Sequence, residues 1–199
     1  MPFKPGVREY RSFFDIHAST DTEKNAYTVE GYATTFDVPY DFGYDTKEQV
    51  LRTALDGADM SDVIFQMNHE GPVMARMRNG TLRLDIDDHG LHVVADLSGS
   101  KYGRDLYEAI ANGLIDRMSW GFTIAEDGWE WDSATRTSTI TKVSKVFDVS
   151  AVSMPADEDT EIHARSYLDG VIEAEQKELL LRDRERRQRA AAALELCTL

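Results

Sequence analysis

The 199-residue sequence is short of cysteine, of basic residues and of long apolar runs. Its single cysteine, Cys197, excludes an intrachain disulfide and a cysteine-based zinc cage, and it favours a reducing compartment. No apolar run approaches the roughly 18 residues that a membrane-spanning helix needs, and residues 1–6 lack the apolar stretch of a secretory signal. Lys and Arg number 22 against 36 Asp and Glu, so the formal net charge is −14. Because phosphate backbones favour basic surfaces, this balance argues against nucleic acid as the main partner.

The chain nevertheless has the composition of a globular protein. Hydrophobic residues make up 42% and charged residues 29%, and eight Phe, eight Tyr and three Trp supply large side chains for a core. This mixture excludes disorder of the whole chain. At roughly 100–200 residues per domain, the length predicts one domain with an appendage.

The appendage is predicted from a change of composition near residue 166. Residues 1–165 carry 16 basic and 29 acidic side chains, whereas residues 166–199 carry 6 and 7. From residue 167 to residue 196 there is one glycine, no proline and a mixture of Glu, Arg, Ala, Leu and Gln that favours helix. We therefore expect a domain over 1–165 and a charged helical tail over 166–199. The tail is either a solvated helix or a segment for docking or for removal, and the sequence leaves both open.

The first 165 residues are dominated by strand-like patterns. Segments rich in β-branched and aromatic residues, or with alternating polarity, lie at 28–36, 62–69, 81–86, 91–97, 118–125 and 137–152. One helix is predicted over 104–114 from apolar residues at helical spacing, with Asn112 and Gly113 at its end. Many strands with few helices predict a mainly β, α+β fold, a barrel or sandwich with helices attached, rather than a βαβ sheet.

Two metal-site interpretations compete with a simple hairpin around residue 88. A calcium-loop spacing is present in part, at Asp85, Asp87, His89, Gly90 and Asp96. The fifth position should be Asp or Asn, the twelfth should be Glu, and the flanks alternate as strands do, so we predict a hairpin turn. His89 and His92 could form a metal pair, but across a turn we expect them to point to different faces.

Three polar residues in otherwise apolar strands are candidates for nucleophilic catalysis. Ser119 lies inside a run that should be buried, His69 ends an apolar strand before Gly71-Pro72, and Asp148 lies within a β-branched strand. A serine hydroxyl needs a neighbouring base, which in turn needs an orienting group. By residue type alone, each also fits a structural role: a hydrogen-bonded histidine, a core serine and a strand acid.

Several segments resemble, in their residues and in their order along the chain, those of the tailed-phage prohead maturation proteases. The resemblance covers about residues 10–165 and is collinear. Its motifs are Glu30-Gly31-Tyr32-Ala33 with Phe36, Asn68-His69, Asp88-His89-Gly90-Leu91, the run from Ile110 to Phe122 that contains Met118-Ser119-Trp120-Gly121-Phe122, and the run from Phe147 to Ala156. Each motif is short, and their joint order makes the resemblance fairly specific.

The resemblance implies a fold related to the herpesvirus assemblins, a β-barrel wrapped by helices. It also implies a serine endopeptidase with Ser119 as nucleophile, His69 as general base and Asp148 as the orienting acid. Many members carry Glu at the third position, so the shorter Asp148 requires a closer approach to the imidazole. Arg117 or backbone amides near Ser119 are candidates for oxyanion donors. The family needs no metal or organic cofactor.

The implied substrates are a scaffold protein or the scaffold region of the major capsid protein, together with the chain itself. The implied partner is the capsid shell, without a membrane, and the implied location is the host cytoplasm inside the assembling prohead. Two alternatives remain: a catalytically inactive barrel that serves as a capsid or scaffold component, and an unrelated serine esterase or amidase. Against the second, Arg117 occupies the first glycine position of the usual Gly-x-Ser-x-Gly motif.

Overall fold

The computed structural model describes residues 6–13, 16–19, 27–43, 45–153 and 177–186. The chain divides into two compact units, one over Phe3–Thr160 and a second that includes residues 161–199. In the second unit the described residues, 177–186, are helical. The rest of the predicted tail, including Cys197, lies outside the described residues. None of the helices in the described ranges is long and apolar enough to cross a membrane.

The first unit consists mainly of strands. Before its helix they are β1 (Glu9–Phe13), β2 (Ile16–Ala18), β3 (Thr28–Thr35), β4 (Tyr40–Gly43), β5 (Thr46–Val50), β6 (Ile64–Met67), β7 (Glu70–Arg76), β8 (Leu82–Ile86) and β9 (Gly90–Asp96). After the helix α1 (Lys101–Ala111) they are β10 (Arg117–Ile124), β11 (Trp129–Asp132), β12 (Thr137–Ile140) and β13 (Val143–Val152). Two short 3-10 helices lie at Arg52–Leu55 and Met77–Asn79.

The described strands pair into three sheets. Their orders are β1-β10-β13-β6-β7, β11-β12-β5-β4 and β2-β3-β9-β8. Neighbouring strands are antiparallel, except that β13 pairs with β6, and β12 with β5, in parallel. Each sheet ends in two edge strands, so the described pairing does not close a barrel. The mainly β, α+β class is as predicted, and the predicted barrel is not confirmed.

The interior strand β10 organises the five-stranded sheet. Ser119 opposes Ser150 of β13, and two residues further on Gly121 opposes both Asp148 of β13 and Tyr10 of β1. Residues directly opposite one another point to the same face of a sheet. The register therefore places these small and polar residues together on one face.

The other face of β10 belongs to the core. Met118, Trp120 and Phe122 are fully buried, and the Trp120 and Phe122 rings stack with their centroids 3.9 Å apart. Burial on both faces explains why β10 reads as an almost unbroken apolar run, in which Ser119 and Gly121 are small enough to line the opposite face. The core thus fixes the strand that carries the candidate nucleophile.

The described helix of the first unit begins earlier than its apolar pattern predicted. Ser100 caps α1, because its hydroxyl accepts a hydrogen bond from the Gly103 amide at 3.0 Å. Leu106 and Ile110 face the core, and Gly113, with φ of 69°, follows the last turn. The short connection from Gly113 to Arg117 then leads directly into β10.

A buried ion pair connects two of the sheets. The Arg11 guanidinium of β1 binds both carboxylate oxygens of Glu48 of β5, with Nη2 3.0 Å from Oε2, and Tyr40 also binds Glu48. Burial disfavours the charge of Arg11, but the adjacent Glu48 more than offsets this and raises its pKa. Burial, followed by the negative charge of Glu48, raises the pKa of the Tyr40 hydroxyl well above its ordinary value. The cluster therefore links β1 of the five-stranded sheet to β4 and β5 of a second sheet.

Candidate active site

His69 occupies a strained two-residue turn between β6 and β7. Met67 and Glu70 pair across the turn, and both central residues, Asn68 and His69, have positive φ, of 52° and 59°. Two central residues with positive φ define a type I′ hairpin turn, in which glycine is preferred at the second position. A histidine there costs of the order of 1–3 kcal/mol and persists only where its surroundings hold it.

The surroundings that hold this turn come from the end of β13. The Asn68 amide donates to the Ala151 carbonyl oxygen at 2.9 Å. The Asn68 side-chain oxygen accepts hydrogen bonds from the Ser153 amide at 3.0 Å and from the Ser153 hydroxyl at 3.2 Å. These bonds attach the His69 turn to the strand that carries Asp148.

The structure brings His69, Ser119 and Asp148 into direct contact. The His69 Nε2 atom lies 2.6 Å from Ser119 Oγ, and His69 Nδ1 is hydrogen-bonded to Asp148 Oδ2. Ser119 and Asp148 are fully buried, and the His69 side chain is 12% exposed. In such a poorly hydrated site hydrogen bonds and charges interact more strongly than in water. A serine, a histidine and a carboxylate in this order can activate a hydroxyl for attack.

Two residues that the sequence analysis did not single out shape the carboxylate site. The Ser150 hydroxyl lies 3.0 Å from Asp148 Oδ2 and donates to it. Gly121 leaves the space that the carboxylate fills, because a Cβ there would lie 2.5 Å from Asp148 Oδ1. Ser150 follows Asp148 by two residues, so the period of two in a strand was the signal that could have found it.

Two side chains of the N-terminal strand region complete the group. The Tyr10 ring lies against the His69 ring, with centroids 4.3 Å apart. The Arg8 Nη1 atom lies 3.5 Å from Asp148 Oδ1. No short motif marks either residue, and only the pairing of β1 with β10 shows that they belong here.

Arg117 begins β10, and its Nε atom lies 3.9 Å from Asp116 Oδ1. The strand β10 is paired on both sides, so its amides point along the sheet toward β1 and β13 rather than out over the Ser119 hydroxyl. This arrangement favours a side chain or a loop amide over the Ser119 amide as an oxyanion donor.

The segment with the partial calcium-loop spacing is a hairpin, as predicted. Asp85 and Asp96 lie in β8 and β9, and the Asp87 Oδ1 atom accepts from the amides of His89 at 2.7 Å and Gly90 at 2.9 Å. Asp87 Oδ2 accepts from the Tyr32 hydroxyl at 2.7 Å. The Tyr32 hydrogen bond, followed by the Gly90 amide, lowers the pKa of Asp87 to about 2.

The sequence analysis predicted that the two histidines of this hairpin point to different faces, and this prediction is wrong. The rings of His89 and His92 both lie against Tyr32, with centroid distances of 4.5 and 5.0 Å. His92 opposes Tyr32 in the β3–β9 ladder, and the turn folds His89 back onto the same ring. Within the described ranges, no group of three or more His, Cys, Asp or Glu residues is arranged to hold a metal ion.

Comparison with known families agrees with this geometry. Residues 14–171 match the family model of the caudovirus prohead serine proteases. The chain belongs to this family. No curated protein and no solved structure matches it. Membership of the prohead serine protease family supports a protease with a role in capsid maturation.

Proposed function

We propose that this prohead protease family member is a serine endopeptidase in which Ser119 is the nucleophile, His69 the general base and Asp148 the orienting acid. The observation that carries the proposal is the continuous contact from Ser119 Oγ to His69 Nε2, at 2.6 Å, and from His69 Nδ1 to Asp148. Hydrogen-bond reach between nucleophile and base, with the base oriented by a third group, is the arrangement that acyl transfer needs.

In the first step the Ser119 Oγ atom attacks the carbonyl carbon of the scissile peptide bond while His69 Nε2 takes its proton. The tetrahedral intermediate collapses when the imidazolium gives that proton to the leaving amine, so the C–N bond breaks and an acyl-enzyme forms. Asp148 holds the Nδ1–H tautomer and offsets the charge of the imidazolium. Water then attacks the acyl-enzyme with His69 as base and releases the acid product and free Ser119.

The short side chain of Asp148 is accommodated by strand pairing. The strand β13 pairs in parallel with β6, so Asp148 opposes Ile64, and Ala151 opposes Met67 beside the turn. This pairing brings the backbone of Asp148 close to the imidazole, and the carboxylate of an aspartate reaches Nδ1. A longer side chain is therefore unnecessary at this position, which supports Asp148 as the third member.

We propose the scaffold protein, or the scaffold region of the major capsid protein, as substrate, together with the chain itself. The site of action would be the assembling prohead in the host cytoplasm. These assignments rest on the family, whose described role is in the prohead.

We further propose that residues 1–165 carry the cleavage activity and that residues 166–199 form a docking segment or one that self-processing removes. In the helix over 177–186, Leu179, Leu180 and Leu181 are 65%, 72% and 52% exposed. Two ion pairs lie within the helix, Arg182 with Glu178 at 2.7 Å and Arg186 with Asp183 at 3.1 Å. An apolar run exposed on a helix is typical of a surface that binds a partner. A chain ending at Arg165 should cleave added peptide yet enter assembling shells poorly.

The decisive experiment compares wild type, Ser119→Ala and Ser133→Ala, the last being an exposed serine in the turn between β11 and β12. Each is co-expressed with capsid and scaffold proteins, whose masses are then measured, and each purified protein is treated with a fluorophosphonate probe. We expect cleavage and labelling for wild type and Ser133→Ala, and neither for folded Ser119→Ala.

Other outcomes would assign other functions. Cleavage or labelling that persists in Ser119→Ala would refute Ser119 as nucleophile. A folded wild type that neither cleaves nor is labelled would indicate an inactive structural component. Hydrolysis of esters without any peptide cleavage would indicate an esterase or amidase.

A further inference from the structure

The strand β1 lies outside the residues that match the family, yet it reaches the candidate active site. The match begins at residue 14, whereas β1 covers Glu9–Phe13. Tyr10 opposes Gly121 of β10, and Gly121 in turn opposes Asp148 of β13. The residues at the start of β1 are therefore placed beside the carboxylate end of the catalytic group.

One carboxylate oxygen of Asp148 receives no hydrogen bond from His69 or Ser150. Asp148 Oδ2 contacts His69 and Ser150, whereas the buried Oδ1 atom has no hydrogen-bond partner among the described residues. The Asp148 side chain is 1% exposed. A buried carboxylate requires compensation by an opposite charge or by hydrogen bonds.

Arg8 is the cation placed to compensate this oxygen. Its Nη1 atom lies 3.5 Å from Asp148 Oδ1, and its guanidinium lies over the Phe147 ring, 4.2 Å from the centroid. The same Nη1 atom is 3.5 Å from the Tyr10 hydroxyl. The Arg8 side chain is 39% exposed, so its outer part stays hydrated while these contacts fix its direction.

Tyr10 links this cation to the base. Its ring contacts the His69 ring, and its Cε1 atom lies 3.0 Å from the position of a Cβ on Gly121. The ring thus covers Gly121 and restricts rotation of the imidazole. Arg11, the next residue, anchors the strand from the opposite face through its buried pair with Glu48.

We propose that Arg8 is a positioning residue of the proteolytic site, acting on Asp148 Oδ1 so that Oδ2 remains directed at His69 Nδ1. This inference rests on the proposed function, because it assigns Arg8 a part in orienting the same triad. The positive charge of Arg8 balances the carboxylate in the resting site. When His69 becomes protonated, the fixed carboxylate faces the new charge without first having to rotate.

The test compares Arg8→Gln and Arg8→Lys with Arg83→Gln. Arg83 is a matched control, because it is an arginine in an exposed pair, 3.1 Å from Asp85 and 65% exposed, on another sheet. We expect Arg8→Gln to lower kcat for a cleaved peptide roughly tenfold, which corresponds to about 1.4 kcal/mol, with KM little changed. Arg8→Lys keeps the charge and should retain most of kcat, and Arg83→Gln should equal wild type.

A second readout separates positioning from folding. The proton on His69 Nδ1 should give a downfield nuclear magnetic resonance signal that persists in Arg8→Lys and broadens or disappears in folded Arg8→Gln. Wild-type kcat in Arg8→Gln, alongside an inactive Ser119→Ala, would overturn the role of Arg8 and leave the proposed function standing. If kcat falls equally in Arg8→Lys and Arg8→Gln, and the fall parallels a loss of folded protein in both, Arg8 has only a structural role and the proposal is also overturned. Activity in Ser119→Ala would instead refute the proposed function.

Discussion

Gly121→Ala tests the geometry of the site with the smallest possible change. The added Cβ would lie 2.5 Å from Asp148 Oδ1, 3.3 Å from Asp148 Cγ and 3.0 Å from Tyr10 Cε1. Ordinary van der Waals contact begins at about 3.4 Å, so the carboxylate must move by about 0.9 Å. Asp148 is hydrogen-bonded to His69 and Ser150, so this movement must lengthen or break the hydrogen bonds that orient the imidazole.

The size of the effect follows from that displacement. A misplacement of about 1 Å in a catalytic group can cost on the order of 10²-fold in rate. Complete loss of the orienting acid in a comparable triad costs on the order of 10⁴-fold in kcat. We therefore expect Gly121→Ala to lower kcat by a factor between these two values. Overpacking of a buried site also costs roughly 1–3 kcal/mol of stability, so the assay must be run where the variant is shown to be folded.

The assay is peptide cleavage under single-turnover conditions, with the free energy of unfolding measured in parallel. Gly99→Ala is the matched control, since a Cβ there meets nothing within 4 Å and its φ is not in the left-handed region. We expect Gly99→Ala to cleave at the wild-type rate. A folded Gly121→Ala enzyme with wild-type kcat would show that the position of Asp148 does not matter for cleavage.

Two further predictions concern stability. Glu48→Gln removes the charge that compensates the buried Arg11, so we expect the free energy of unfolding in urea to fall by about 3–5 kcal/mol. Asp85→Asn removes the carboxylate of the exposed Arg83–Asp85 pair, in which Asp85 is 46% exposed, and should cost only about 0–1 kcal/mol. Equal losses of stability in Glu48→Gln and Asp85→Asn would contradict this reasoning. Tyr32→Phe removes the hydrogen bond that contributes most to lowering the pKa of Asp87 to about 2. The stability that Asp87 supplies is present above its ordinary pKa of about 3.9 and is lost as pH falls toward 2, so acid unfolding of Tyr32→Phe should begin at a higher pH. An unchanged acid transition would show that this hydrogen bond does not affect stability.

The position of His69 in a type I′ turn has a consequence for how this site is built. Its backbone strain is balanced by the hydrogen bonds of Asn68 to the end of β13. The pair Asn68-His69 thus has two separate tasks, since the asparagine attaches the turn and the histidine contacts Ser119. Residues with a strained backbone conformation, such as His69, cluster at functional sites.

The sequence by itself determined part of the local structure, whereas the described strands β1, β2, β4, β5, β7 and β11 were not predicted. Alternation over 81–86 and 91–97 predicted the hairpin of β8 and β9, because a period of two and a polar turn are properties of the neighbouring residues alone. The apolar spacing after Arg104 likewise predicted α1, but the helix begins at Lys101, where Ser100 caps it, and ends at Ala111, so both predicted bounds were three residues too late. The resemblance of collinear motifs selected His69, Ser119 and Asp148, and their contact is what the structure adds.

Some local signals pointed to the wrong boundary, for reasons that lie in the sheet. Gly71-Pro72 was expected to break the strand over 62–69, and that strand, β6, does end at Met67; but both residues lie inside a second strand, β7, that was not predicted. A proline is tolerated there because β7 is an edge strand, where a missing amide need not remove a ladder bond. The segment 137–152 was one strand by composition, and it divides at Thr141 and Lys142 because β12 and β13 belong to different sheets.

Only the tertiary structure decided which strands are neighbours. Parallel pairing of β13 with β6 joins residues about eighty positions apart and brings Asp148 to the His69 turn. Pairing of β1 with β10 adds Arg8 and Tyr10, which no motif marks. Such contacts depend on how whole faces of the chain are buried, whereas periodicity and turn signals report only the few residues on either side.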